Sequence, residues 1–218
     1  MFRVILYSQW KWSRLIVVAG TIAGFALPII SLQGATGADR GPLQAQELLR
    51  AAQSWGTLYP VLAAALGLLV AIATWAADHR GRHVHALTLP LPRWRYVLLR
   101  FGAGVTLLAG PMAAVLLGAL LATATATFPP GLQGYPIALA LRFAIAVLVG
   151  YAVFFAISAG TARTAGIILV GIGALILIQI LANLANIELD LLAMLQLVVL
   201  NWPGPLAVFT GRWMLVDV

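Results

Sequence analysis

Asp78, His79, His83 and His85 are the residues of this chain best suited to chemistry, and the chemistry they could do is hold a metal ion. His79 and His83 are four apart, so on a helix they share a face beside Asp78, as ligands to a divalent cation would. Arg80 and Arg82 crowd the same turn and their charge opposes such a cation. The histidines therefore read as solvated or partner-contacting residues, and no metal is expected. Gln179, Asn183 and Asn186 fall at i, i+4 and i+7, a polar stripe on an otherwise apolar run. Polar side chains in hydrocarbon are costly unless they find partners. Hydrogen-bonding glue between helices is one reading of the stripe, and the lining of a substrate path is the other. No P-loop is present to grip ATP phosphates, no GxSxG elbow or HExxH pair occurs, and there is no cysteine thiolate. No catalytic residue is expected, and the chain does not read as an enzyme.

The elements that carry these residues follow from composition. Of 218 residues 62% are hydrophobic and only 9% charged, with mean hydropathy +1.01. A soluble domain carries roughly a quarter charged residues, so this chain lacks the polar surface to face water. Its apolar runs reach the ~20 residues that cross a ~30 Å hydrocarbon core, and they are continuous, which disfavours a β-barrel. The expected fold is all-α: a polytopic membrane helical bundle forming one transmembrane domain, residues 1–218. Residues 1–14 mix Trp10 and Trp12 with Arg3, Lys11 and Arg14 and read as an interfacial helix, the alternative being a simple N-terminal extension of the first span. Five clear spans are expected at 15–32, 57–77, 96–125, 139–159 and 165–186, with a short surface helix in the polar stretch before the second. Residues 188–218 read as a re-entrant segment or a sixth span broken near Pro203.

Gly20-x-x-x-Gly24 in the first span is a pattern that lets helix backbones approach closely, Pro28 and Pro111 are expected to kink their spans, and Phe128 to Pro136 is a turn. Thirteen Lys and Arg give a net charge of +7. With the N-terminus inside, inner segments hold nine of them (Arg3, Lys11, Arg14, Arg80, Arg82, Arg93, Arg95, Arg100 and Arg163) and outer ones three (Arg40, Arg50 and Arg142), leaving Arg212 undecided. That bias predicts a cytoplasmic N-terminus and treats the basic charge as a topology signal, not a nucleic-acid footprint. Inner loop 78–95 and Arg100 are read as lying in water.

That loop carries a pattern: Asp78-x-Arg80-Gly81, then Ala86-Leu87-x-Leu89-Pro90-Leu91-Pro92-Arg93, then Arg100 opening a span. It resembles the permease subunits of type-2 ABC exporters, although the usual Glu is Asp78 and the Thr that commonly follows the Gly is Arg82. The resemblance implies a coupling helix that docks on a separate cytoplasmic ATP-binding subunit through Asp78, Arg80, Gly81, Leu87, Leu89, Pro90, Pro92, Arg93 and Arg95. It further implies a second permease copy, as homo- or heterodimer, in a bacterial plasma (inner) membrane. ATP and Mg would then sit on the partner, with no cofactor bound by this chain. Leu191 to Leu200 would match the family's external re-entrant helix, with a sixth span beyond Val218. Membrane lipid is the remaining partner expected, and nucleic acid is not one. The cargo would be hydrophobic or amphipathic. The competing class is a non-transporting scaffold or assembly subunit that binds a cytoplasmic partner through the same basic loop.

Overall fold

A computed structural model describes residues 2–33, 42–80, 92–159, 174, 177–178, 204 and 206–217, and within these the side chains of 42–45, 47, 76–80 and 93 are excepted. Among the described residues five long helices run in chain order: α1 (Phe2–Ser31), α2 (Pro42–Gly56), α3 (Leu58–Arg80), α4 (Arg93–Thr125) and α5 (Pro136–Ala159). Four stretches among the described residues, Phe2–Ser31, Leu48–Trp75, Trp94–Thr125 and Pro136–Ala159, are long and apolar enough to cross a membrane. The chain is an integral membrane protein built as an α-helical bundle. The expected fifth span, 165–186, and residues 188–203 of the expected sixth or re-entrant segment lie outside the described residues, apart from 174, 177 and 178.

Helix boundaries follow local chemistry. Pro60 has no N–H to give the Gly56 carbonyl and its ring crowds that carbonyl, so the break between α2 and α3 falls at Thr57. The Thr57 hydroxyl donates to the Ser54 carbonyl at 2.9 Å. Pro28 and Pro111 are buried inside α1 and α4, and both helices continue through them. α4 ends at Thr125 before Pro129 and Pro130, and Gly131 takes the turn with φ 94°. Thr123 and Thr125 donate their hydroxyls back to the Ala119 and Leu121 carbonyls at 2.9 Å each, which gives both a backbone partner.

The break expected between residues 14 and 15 is absent. Residues 2–31 form one helix of 30 residues, about 45 Å long at 1.5 Å per residue. α4, with 33 residues, is about 50 Å long. Both exceed the ~30 Å core, and their charged residues, Arg3, Lys11 and Arg14 of α1 and Arg93, Arg95 and Arg100 of α4, lie toward their starts. The surplus length is therefore at that end.

Packing fixes the directions. Gln9 meets Arg100, Gly110 meets Thr21, and Gly24 meets Val115, so α1 and α4 run parallel. α3 is antiparallel to α1, with Gly20 against Leu66 and Trp75 beside Arg100. α5 runs parallel to α3, with Gly67 on Gly150 and Trp75 on Phe155. The two glycines of the GxxxG pair serve different neighbours: Gly20 admits Leu66 of α3, and Gly24 admits Pro111 and Val115 of α4. One end of the bundle thus gathers the start of α1, the end of α3, the start of α4 and the end of α5.

The opposite end holds an unexpected element. β1 (Gln133–Gly134) pairs antiparallel with β2 (Val216–Asp217), Gln133 opposite Asp217 and Gly134 opposite Val216. The chain divides into two compact units, Met1–Phe155 with Arg212–Val218, and Ala156–Gly211. In the second, a 3-10 turn, Ala207–Phe209, is closed by Thr210, whose hydroxyl donates to the Ala207 carbonyl at 2.8 Å.

Candidate functional site at the loop-bearing end

The loop joining α3 to α4 emerges where α3 ends at Arg80 and α4 begins at Arg93. Pro92 caps α4 in an extended conformation, φ −60° and ψ 137°. Its carbonyl accepts from the amides of Arg95 at 3.0 Å and Tyr96 at 3.3 Å. Proline fixes φ and needs no hydrogen-bond partner for its own nitrogen, so the loop enters the helix at a set angle. Arg95 is exposed, its guanidinium 5.2 Å from the centre of the Trp94 ring.

Seven residues in, Arg100 departs from expectation. It does not lie in water; it is 5% exposed. Its guanidinium sits 4.9 Å from the Trp75 ring centre and 5.1 Å from that of Tyr96. A buried charge is expensive unless compensated, and a desolvated guanidinium over an aromatic face recovers up to about 2 kcal/mol per ring. Gln9, 3% exposed, donates Nε2 to the Arg100 carbonyl at 3.1 Å. The Ser13 hydroxyl donates to the Gln9 carbonyl at 2.8 Å. Residues of α1, α3 and α4 are thus tied together about two turns of α4 beyond the loop.

Beneath this joint lies an aromatic cluster that brings in α5. Trp75 and Phe155 are 5.2 Å apart, Phe101 and Tyr151 5.2 Å, Phe101 and Phe155 5.3 Å, and Tyr151 and Phe155 5.5 Å. Pairs at these distances add roughly 0.5–1.5 kcal/mol each beyond the area they bury. Gly104 makes room for the Tyr151 ring, where a Cβ would strike its hydroxyl.

The expected docking residues divide accordingly. Asp78 and Arg80 are on the last turn of α3 and Arg93 on the first turn of α4, their side chains outside the described residues. Pro92 is the cap and Arg95 is exposed. Gly81, Leu87, Leu89 and Pro90 lie outside the described residues, as do His83, His85, Gln179, Asn183 and Asn186. Among the described residues no three His, Cys, Asp or Glu side chains converge as a metal site. Sequence reasoning missed the joint. Its signal was Gln9, a polar residue in register with Ser13, Gly20 and Gly24 on the buried face of α1.

At the other end, Arg142 packs against the segment that holds Arg212 and Trp213. Its Nη1 donates to the Arg212 carbonyl at 2.6 Å and its guanidinium lies 4.5 Å from the Trp213 ring centre. Trp213 stacks on Tyr59 at 6.4 Å. Arg212 therefore belongs to the same end as Arg142.

Compared with models of known protein families, with curated proteins and with solved structures, the chain matches none.

Proposed function

We propose that this chain is the membrane permease subunit of an ATP-driven exporter, moving a hydrophobic or amphipathic substrate by alternating access while a separate cytoplasmic ATP-binding subunit supplies the energy. The observation that carries this reading is the joint at Arg100. A loop set between Arg80 and Pro92 has its flanking helices fastened to each other and to α1, so a push on the loop displaces three helices together. A loop that served only to bind a partner would need no such fastening.

In this reading the loop-bearing end is cytoplasmic, in accord with the nine-to-three bias of basic residues, and the membrane is the bacterial inner membrane. Leu87, Leu89, Pro90 and Pro92 form the apolar and stiff part of the docking knob. Arg80, Arg93 and Arg95, with Asp78 and Gly81 at its base, present charge to acidic groups of the ATPase, which sets orientation and association rate. ATP and Mg are held by that partner, whose closure drives the knobs of two permease copies together. Gln179, Asn183 and Asn186 line the substrate path.

Co-purification from native membranes tests this. The permease reading expects a Walker-A-containing subunit to accompany the chain, with ATP hydrolysis that rises when both are present. P90A and R93E should each release that subunit. A chain that brings down no ATPase, or one whose partner stays bound without loop-dependent hydrolysis, refutes the reading and leaves a scaffold.

A further inference from the structure

The outward face of α1 changes character along its length. Arg3, Tyr7, Lys11 and Arg14 fall within an arc of about 80° at 100° per residue, with Trp10 at its edge, and all five are exposed. No acidic residue occurs before Asp39, so α1 carries nothing to neutralise them. Continuing along the same arc, the exposed face becomes Val18, Ile22 and Phe25, with no charge.

Directly along that arc a groove opens between α1 and α4, lined by Trp10, Val18, Ile22, Thr106, Leu107 and Gly110. Its hydroxyls are turned away: Thr21 donates to the Val17 carbonyl at 2.7 Å and Thr106 to the Gly102 carbonyl at 2.8 Å. The surface left is apolar. From Trp10 to Ile22 it runs about 18 Å, close to the depth of one leaflet of a ~30 Å core.

Cations beside the outer turn of an apolar groove of about one-leaflet depth are complementary to one kind of molecule. We propose that this face of α1 is a binding site for an anionic phospholipid, its phosphate against Lys11 and Arg14 with Arg3 close by, and one acyl chain in the groove beside Val18, Ile22 and Leu107. Trp10 sits where the headgroup joins the chains, the level that indole rings favour. The site rests on the membrane-spanning character of the helices and not on the exporter reading, so failure of either leaves the other standing.

Native mass spectrometry of the detergent-solubilised full chain, with phosphatidylglycerol and phosphatidylcholine of identical acyl chains, tests it. Wild type should retain phosphatidylglycerol in preference. Juxtamembrane charges each contribute roughly fivefold to anionic-lipid binding, so K11Q/R14Q should lower that preference by about 25-fold, while K11R/R14K keeps it. At Gly110 a Cβ would stand 3.5 Å from Thr21 Oγ1 and 4.0 Å from Val17 Cγ1, so a methyl fits and a longer side chain projects into the groove. G110L should therefore reduce retention of both lipids without altering their ratio. Equal retention of the two lipids by wild type, an unchanged preference in K11Q/R14Q, or full retention by G110L overturns the proposal. So does displacement of the lipid preference by millimolar inorganic phosphate, which would mark a plain anion site. Efficient disulfide formation between copies of I22C, in a chain otherwise free of cysteine, would place a second copy over the groove and overturn it too.

Discussion

Gly67 lies where α3 and α5 touch backbone to backbone. A Cβ added there would stand 2.6 Å from the Tyr151 nitrogen and 2.8 Å from the Gly150 carbonyl carbon, against an ordinary contact of 3.4 Å or more. G67A must therefore part the helices locally by about 0.8 Å, since neither struck atom belongs to a side chain that could rotate away. A gap of that size forfeits a quarter to a half of each dispersion contact along the seam, which includes the fully buried Val70, Val147 and Tyr151. Overpacked cores lose typically 1–3 kcal/mol, and a clash in which both struck atoms are backbone lies at the top of that range. Here the gain in helix propensity from Gly to Ala, about 1 kcal/mol, offsets part of the loss, and we expect a net destabilisation of about 2 kcal/mol. G20A is the control, because the atoms nearest its Cβ all belong to the Leu66 side chain, its two terminal methyls and Cγ. That side chain can rotate aside, so G20A should fall within about 1 kcal/mol of wild type. Unfolding of detergent-solubilised protein by increasing SDS mole fraction, followed by circular dichroism, gives both midpoints. A G67A midpoint equal to that of wild type or of G20A would refute the close backbone approach of α3 and α5.

Three further outcomes follow from the described contacts. R100M, which keeps the volume but removes the charge between Trp75 and Tyr96, should lower the SDS midpoint more than R100K does, because the ammonium retains attraction to the rings; equal loss in both would mean that the planar guanidinium carries the whole effect. R142A should make the bond after Arg212 more sensitive to trypsin, since the carbonyl of Arg212 and the ring of Trp213 both lose their contact with the Arg142 guanidinium; unchanged cleavage would show that Tyr59 and the β1–β2 pairing suffice. At Gly131 the backbone has φ 94° and nothing stands within 4 Å of an added Cβ, so G131A should cost about 1 kcal/mol from backbone strain alone, with G131N milder.

The bundle was legible in the sequence because span length and prolines act locally. Runs such as Pro136–Ala159 announce themselves by hydropathy, and Pro60 and Pro129 mark helix ends by removing donors. What was not legible depends on distant partners. Arg100 looks like any interfacial cation until Trp75, 25 residues earlier, is seen beneath it. The GxxxG pair signalled close approach but not that its two glycines face different helices. The expected break at residue 14 failed because Gln9 and Ser13 continue the buried face of α1 into the charged region, and packing against α4 keeps the helix intact. Trp213 and the short strand after it gave no periodic signal at all, being too short for any pattern to repeat.

The pairing of Gly134 with Val216 spans 82 residues of chain, the difference of those two positions. At the 5–20 residues per second of protein synthesis, the turn after α4 waits about 4–16 seconds for its partner strand to be made. Throughout that interval Tyr59 lacks its stacking ring, the guanidinium of Arg142 lacks Trp213, and Gly134 offers an unpaired edge. Residues 212–217 then close a site assembled from the end of α2 and the starts of α3 and α5, where Gly56 leaves space for the Trp213 carbonyl. A bundle with any one of those helices misplaced has no slot for Trp213, so protease sensitivity of the segment around Trp213 would mark a misassembled chain.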